Sequence, residues 1–120
     1  MSEHIYLAGP MTGYLNFNFD AFHKAERVWA ELGFIVHNPA RHFGGAQDLP
    51  YATYMTAAIE DLVTCDGLVL LPGWWDSHGA NVELVTARAI DLDIYTADGN
   101  RYRQGLPIPN FERLVKGRER

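Results

Sequence analysis

The sequence predicts an α/β domain built on a small doubly wound parallel sheet of four to five strands with helices on both faces. Two observations predict it. Short runs of β-forming residues alternate along the chain with segments whose apolar residues recur at helical spacing. The most hydrophobic run, "DGLVLLPG" at 66–73, is continuous rather than alternating, as a central strand covered on both faces requires. Such alternation implies parallel strands joined by right-handed crossovers.

Each element follows in order. "HIYLAG" at 4–9 reads as a buried strand that ends at Gly9-Pro10 and feeds the loop "GPMTG". Phe22, Ala25, Trp29 and Leu32 recur at helical spacing from about Asp20, with Asn18 as N-cap and Gly33 as the stop. "FIVHNP" at 34–39 is a second strand cut off by Pro39, and the Gly- and Pro-punctuated "ARHFGGAQDLP" after it is a loop. Thr53 is placed to cap a helix with the face Tyr54, Ala58, Leu62 and Cys65. After the central strand a third helix runs from about Ala80 to Ile90, "LDIYTADG" supplies a last strand, and a short helix is expected near Asn110 to Val115.

The 120 residues suffice for a single domain, 1–120, with residues 97–120 as a basic C-terminal extension. One cysteine, Cys65, allows no internal disulfide and points to a reducing, cytoplasmic compartment, the host's if the protein is phage-encoded. The N-terminus lacks the pattern of a secretory leader, and no window approaches a membrane span. Six of the ten Lys and Arg fall in residues 101–120, against two acids there, so the rest of the chain is strongly acidic. That balance argues against a nucleic-acid duplex as partner, because counterion release needs clustered cations. The tail either docks on an acidic face, its own or another subunit's, or is simply solvated.

Ligands of doubly wound sheets bind at the carboxyl ends of the strands, where strand order reverses. The loops to examine are therefore Gly9 to Gly13, Asn38 to Gln47 and Pro72 to Gly79. Neither a dinucleotide fingerprint nor a Walker loop is present. The loop Gly9, Pro10, Met11, Thr12, Gly13 is either an anion cradle of backbone N–H groups or a turn that needs glycine for its angles. The histidines are scattered, and no carboxylate or thiolate falls at metal-ligand spacing beside His37 and His42, so neither a metal nor another cofactor is expected. Trp74 and Trp75 either stack a planar ring or pack under the loop. Tyr6 reads as a core aromatic whose place near a strand end gives its hydroxyl a possible role.

Glu83 is placed in the first turn of the third helix, where the helix dipole favours a carboxylate. A capping box is excluded because position 80 is alanine. Glu83 shares its helical stripe with Ala80, Ala87 and Ile90, which a solvated charge does not explain. A lone carboxylate in a ligand site can attack an electrophilic sugar carbon and hold it covalently.

"YLAGPMTG" (6–13), "HNP" (37–39), "CDGLVLLPGW" (65–74) and "SHGANVE" (77–83) together resemble the nucleoside 2-deoxyribosyltransferase-like family, closest to its short members common in phage and bacterial genomes. The resemblance spans about residues 4–96. It implies a flavodoxin-like fold, a homo-oligomer with a shared active site, and cleavage of the N-glycosidic bond of 2-deoxynucleosides or their 5′-monophosphates. It implies Glu83 as nucleophile at C1′, Tyr6 against it, and the Gly9–Gly13 loop facing sugar or phosphate. Asn38, Trp74, His78 and Gly79 complete the expected binding residues. At the position six before the nucleophile, family transferases carry aspartate and the monophosphate hydrolases serine; here it is Ser77, which points to a nucleotide. One departure stands out. The family aspartate that contacts the base falls at Ala58, so base protonation must come from elsewhere, water or His78, with Asp61 one turn further along able to substitute only after a backbone shift. The expectation is thus a 2-deoxynucleoside 5′-monophosphate hydrolase. The alternatives are a transferase using a second base as acceptor and a non-catalytic nucleotide-binding module.

Overall fold

The computed structural model describes residues 3–99 and Tyr102; the basic tail and the helix expected near Asn110 lie outside the described residues. Four strands, β1 (His4–Ala8), β2 (Ile35–His37), β3 (Gly67–Leu70) and β4 (Asp93–Thr96), form one sheet in the order β2-β1-β3-β4. Every pairing is parallel. Helices α1 (Phe19–Glu31), α2 (Tyr51–Leu62) and α3 (His78–Ala89) make the crossovers. This is a doubly wound α/β sheet with flavodoxin-like strand order.

The period of two along the strands sorts the core into halves. Ile5, Leu7, Val69 and Leu71 pack with Phe22 and Trp29 of α1 on one face. Tyr6, Ala8, Leu68 and Leu70 pack on the other with Ala58 and Leu62 of α2 and Ala80, Leu84 and Ala87 of α3. Both faces of β1 and β3 are therefore apolar, which is why β3 reads as an unbroken hydrophobic run. The crossover from β1 to β2 carries α1 over one face, while β3 returns beside β1 after α2 has covered the other. The carboxyl ends of β1 and β3 thus diverge and leave a crevice. Only glycine fits at position 9, since a Cβ there would lie 2.8 Å from the Cβ of Leu71.

Three helix starts differ from the sequence expectation. Asn18 precedes α1 in a left-handed conformation, φ 60°, from which its side chain caps nothing; a capping side chain reaches the first-turn N–H groups from extended backbone. Its amide instead donates to the Pro10 carbonyl at 3.0 Å, tying the first loop to the head of α1. Pro50 precedes α2, so Thr53 stands inside the first turn, its N–H bonded to the Pro50 carbonyl. The third helix starts at His78 with Ser77 as its cap, the Ser77 hydroxyl accepting from the Ala80 N–H at 3.2 Å. Glu83 therefore stands in the second turn, beyond the reach of the first-turn dipole argument. Gly33, at φ +99°, ends α1 as expected.

Candidate active site

The crevice at the carboxyl ends of β1 and β3 opens into a cavity of about 500 Å³. Its floor is the end of β1, its walls are the loop after β1, α2 and the first turns of α3, and Tyr14, Phe17 and Phe19 form one side. Phe17 reaches the cavity from a run of three left-handed residues, Asn16, Phe17 and Asn18, a costly conformation of the kind found at ligand sites. No Lys or Arg lines the cavity among the described residues; its acids are Asp76 and Glu83.

Glu83 is 6% exposed because its stripe on α3, with Ala80 and Ala87, faces the sheet rather than solvent. Burial raises its pKa to about 8, and the nearby Tyr6 hydroxyl offsets part of that rise. Tyr6 lies wholly buried at the centre of β1. Burial, and next the Glu83 charge, push its hydroxyl well above the usual tyrosine range, so it stays a proton donor. The hydroxyl faces Glu83 short of full hydrogen-bond geometry and has no other partner among the described residues. The pair is a carboxyl held largely neutral at pH 7 beside a phenol able to stabilise it when it ionises.

The start of α3 also lines the cavity. Ser77, His78 and Gly79 line it, and the first N–H groups of a helix have no intrahelical partner. The Ser77 oxygen already accepts from Ala80, which leaves its O–H free to donate. Such an end suits an anionic or multiply accepting group, while Asp76 on the same wall opposes a full negative charge.

A third feature brings together residues that the sequence spacing kept apart. Asp61 of α2 accepts on one oxygen from His37 Nδ1 at 2.6 Å and on the other from His42 Nε2 at 3.1 Å. His37 Nε2 in turn lies 2.8 Å from His4 Nδ1. With Cys65, the potential ligand atoms of His37 and Asp61 lie within 4.8 Å of one another, so the fold assembles a metal-competent donor set that linear spacing had excluded. As folded it is closed by hydrogen bonds: ligands on one tetrahedral zinc, with bonds of about 2.0 Å, sit farther apart than 2.6 Å. The Cys65 thiol is held protonated, its pKa pushed up to about 12 by burial and then by Asp61.

Residues 3–96 match the model of DUF4406, a domain of unknown function. The chain belongs to this family. No curated protein matches it. The cavity of this DUF4406 domain lies wholly inside the matched segment, from Tyr6 to Glu83.

Of the residues singled out in the sequence, Glu83, Tyr6, Gly9, Pro10, Met11, Thr12, Ser77, His78 and Gly79 all line the cavity of the domain. Three do not. Asn38 is buried and occupied: its carbonyl accepts from the Ala40 N–H at 2.9 Å and its amide donates to Glu26 at 2.9 Å, so it shapes the turn after β2. Trp74 is 4% exposed and packs edge-on against Trp75 and Tyr102 in the core beneath α3; neither tryptophan lines the cavity. Gly13 turns outward at φ +85° with open space around it. The aromatic surface that replaces the tryptophans, Tyr14, Phe17, Phe19, Tyr51 and Tyr54, was missed, although "YLNFNF" and "YATY" show an aromatic density that plain loops and helix starts lack. His42 was also missed as a cavity residue. Asp61, considered as a stand-in at the base, points instead to the histidines.

Proposed function

We propose that this protein cleaves the N-glycosidic bond of a 2-deoxynucleoside 5′-monophosphate, with Glu83 attacking C1′ and water releasing the sugar. The observation that carries the reading is the buried Glu83–Tyr6 pair at the inner end of an aromatic-lined cavity. A desolvated carboxylate is a stronger nucleophile than a hydrated one, and Tyr6 orients it and stabilises its charge. The aromatic side takes the base. The first N–H groups of α3, the Ser77 hydroxyl and the loop from Gly9 to Thr12 take the phosphate. The resemblance of the 6–13, 65–74 and 77–83 motifs to the nucleoside 2-deoxyribosyltransferase-like family supports the same assignment. If a second base enters instead of water, the same intermediate yields transfer. We expect a homo-oligomer, with exposed Tyr14 and Leu15 at the mouth the surface a second copy would cover.

A second reading has its own observation. Asp76 in the wall, with no Lys or Arg among the described lining residues, favours an unphosphorylated nucleoside whose 5′-hydroxyl donates to that carboxylate. Incubating the protein with paired deoxynucleosides and their 5′-monophosphates, with and without an acceptor base, and following free base by chromatography decides between them. Release from the monophosphate, abolished in Glu83→Gln, is the expected result. Release at the wild-type rate by Glu83→Gln removes Glu83 as nucleophile.

A further inference from the structure

Departure of a base from C1′ leaves an electron pair on its ring nitrogen, and a proton supplied there lowers the barrier. Glu83 must be ionised to attack, and Tyr6 faces Glu83, so neither is free to supply it. Tyr54 is occupied, donating to the Ala46 carbonyl and accepting from the Leu49 N–H. His78 opens α3 and lines the cavity, but among the described residues no carboxylate holds its ring. His42 differs from all of these. It stands on the cavity wall with Ala58 and Tyr6, its ring 6.5 Å from that of Tyr6, and Asp61 holds its Nε2. Its Nδ1 has no protein partner among the described residues.

We propose that His42 is the general acid for the departing base and that Asp61 is its positioning residue; this rests on the glycosidase reading above. The backbone around His42 is shaped for the purpose: His42 is extended, at φ −63° and ψ 141°, and Phe43 and Gly44 are both left-handed, which breaks the helical turn and swings the ring inward. Asp61 accepts the Nε2–H and stabilises the imidazolium form of His42, in which the Nδ1–H is the transferable proton. In the first step the C1′–N bond breaks, its electrons go to the base, the Nδ1 proton passes to the base, and Glu83 forms the bond to C1′. In the second step water enters from the vacated side, gives one proton back to Nδ1, and displaces Glu83 as a carboxylate. Protons and charges return to their starting places. The chain Asp61–His37–His4 extends from the pair to the partly exposed His4, a route for exchange with solvent.

The alanine at position 58 supplies the control. Ala58 and Asp61 share one face of α2 at i, i+3, and Ala58 lines the cavity, so an Asp introduced at 58 projects into the same space as His42. The experiment compares base release from an ordinary purine deoxynucleotide and from its N7-methylated form, whose base leaves neutral without an added proton. His42→Gln is expected to lose about 100- to 10,000-fold on the ordinary substrate and less than about tenfold on the methylated one. Asp61→Asn is expected to show the same selective loss, which a purely structural role would not produce. Adding Ala58→Asp to His42→Gln is expected to restore at least about tenfold on the ordinary substrate. Equal losses on both substrates, or an unchanged rate in His42→Gln while Glu83→Gln is dead, overturn the assignment of His42 and leave the glycosidase reading standing. Absence of release from either substrate by the wild-type protein, or release that survives Glu83→Gln, overturns both.

Discussion

Glu83→Gln removes an ionisable group from the most desolvated position of the site, and its effect on stability can be worked out before any substrate is known. In the unfolded chain the carboxyl titrates near its ordinary value, 4.5, whereas burial raises it to about 8 in the folded protein. Between those values the folded state holds a proton that the unfolded state has released. The carboxyl therefore contributes its full share of stability below about pH 4 and loses it as pH rises toward about 8. A tenfold change in proton affinity is worth about 1.4 kcal/mol, so the total loss is about 5 kcal/mol, of which about 1 is reached at pH 5 and about 3 at pH 7. Glutamine has the shape of the neutral acid and loses none of it. Urea denaturation of both proteins at pH 5, 7 and 9 should show the variant's advantage growing by about 4 kcal/mol across that range. An advantage that stays constant within about 0.5 kcal/mol would refute the reasoning, because it would mean that Glu83 ionises in the folded protein as it does in water. The same titration predicts that base release from an N7-methylated purine deoxynucleotide, which needs no acid, rises with pH as Glu83 loses its proton.

Four further outcomes follow. Tyr6→Phe removes the group that offsets the rise in Glu83, so the pH at which the loss of stability levels off should move upward, read from the same denaturation series. Gly9→Ala places a methyl 2.8 Å from Leu71 Cβ and should cost about 1–3 kcal/mol, measured by urea midpoint. Gly79→Ala meets Met55 Sδ and Tyr51 Oη at 3.2 Å at the cavity wall, and should raise KM for substrate more than it lowers the melting temperature. Asn38→Ala should destabilise by about 1–3 kcal/mol through the unpaired Ala40 N–H and the lost bond to Glu26, which Arg41 still holds, while leaving nucleotide affinity, followed by titration, within about twofold.

The fold was legible where the chain speaks through periodicity. The continuous run of β3 announced a strand buried on both sides, and the 22–25–29 stripe announced α1. Helix starts were less legible: capping depends on backbone angle as well as residue type, and Asn18, a good cap by composition, is left-handed and serves the Pro10 carbonyl instead. At the site, Glu83 was legible from its misfit on an apolar stripe, although its turn was misplaced by the start at His78. The Asp61 network was not legible, since its members come from β1, β2, the following loop and α2 and meet only through the strand order. Trp74 shows the opposite error: a large aromatic near a strand end serves packing as readily as binding, and only the direction of its side chain separates the two.

Tyr6, Ala58 and Ala80 belong at once to the core beneath α2 and α3 and to the cavity wall, and Leu7 and Phe22 do the same on the other face of the sheet. The domain has no inert scaffold on which a separate site has been mounted. A change that reshapes the inner cavity is also a change to the hydrophobic core of a small protein, and carries a stability cost with it. At the mouth, by contrast, Tyr14 and Tyr51 are about half exposed, so substitutions there cost the core little. The inner lining is thereby tied to the stability of the whole domain, and the rim is free of that tie.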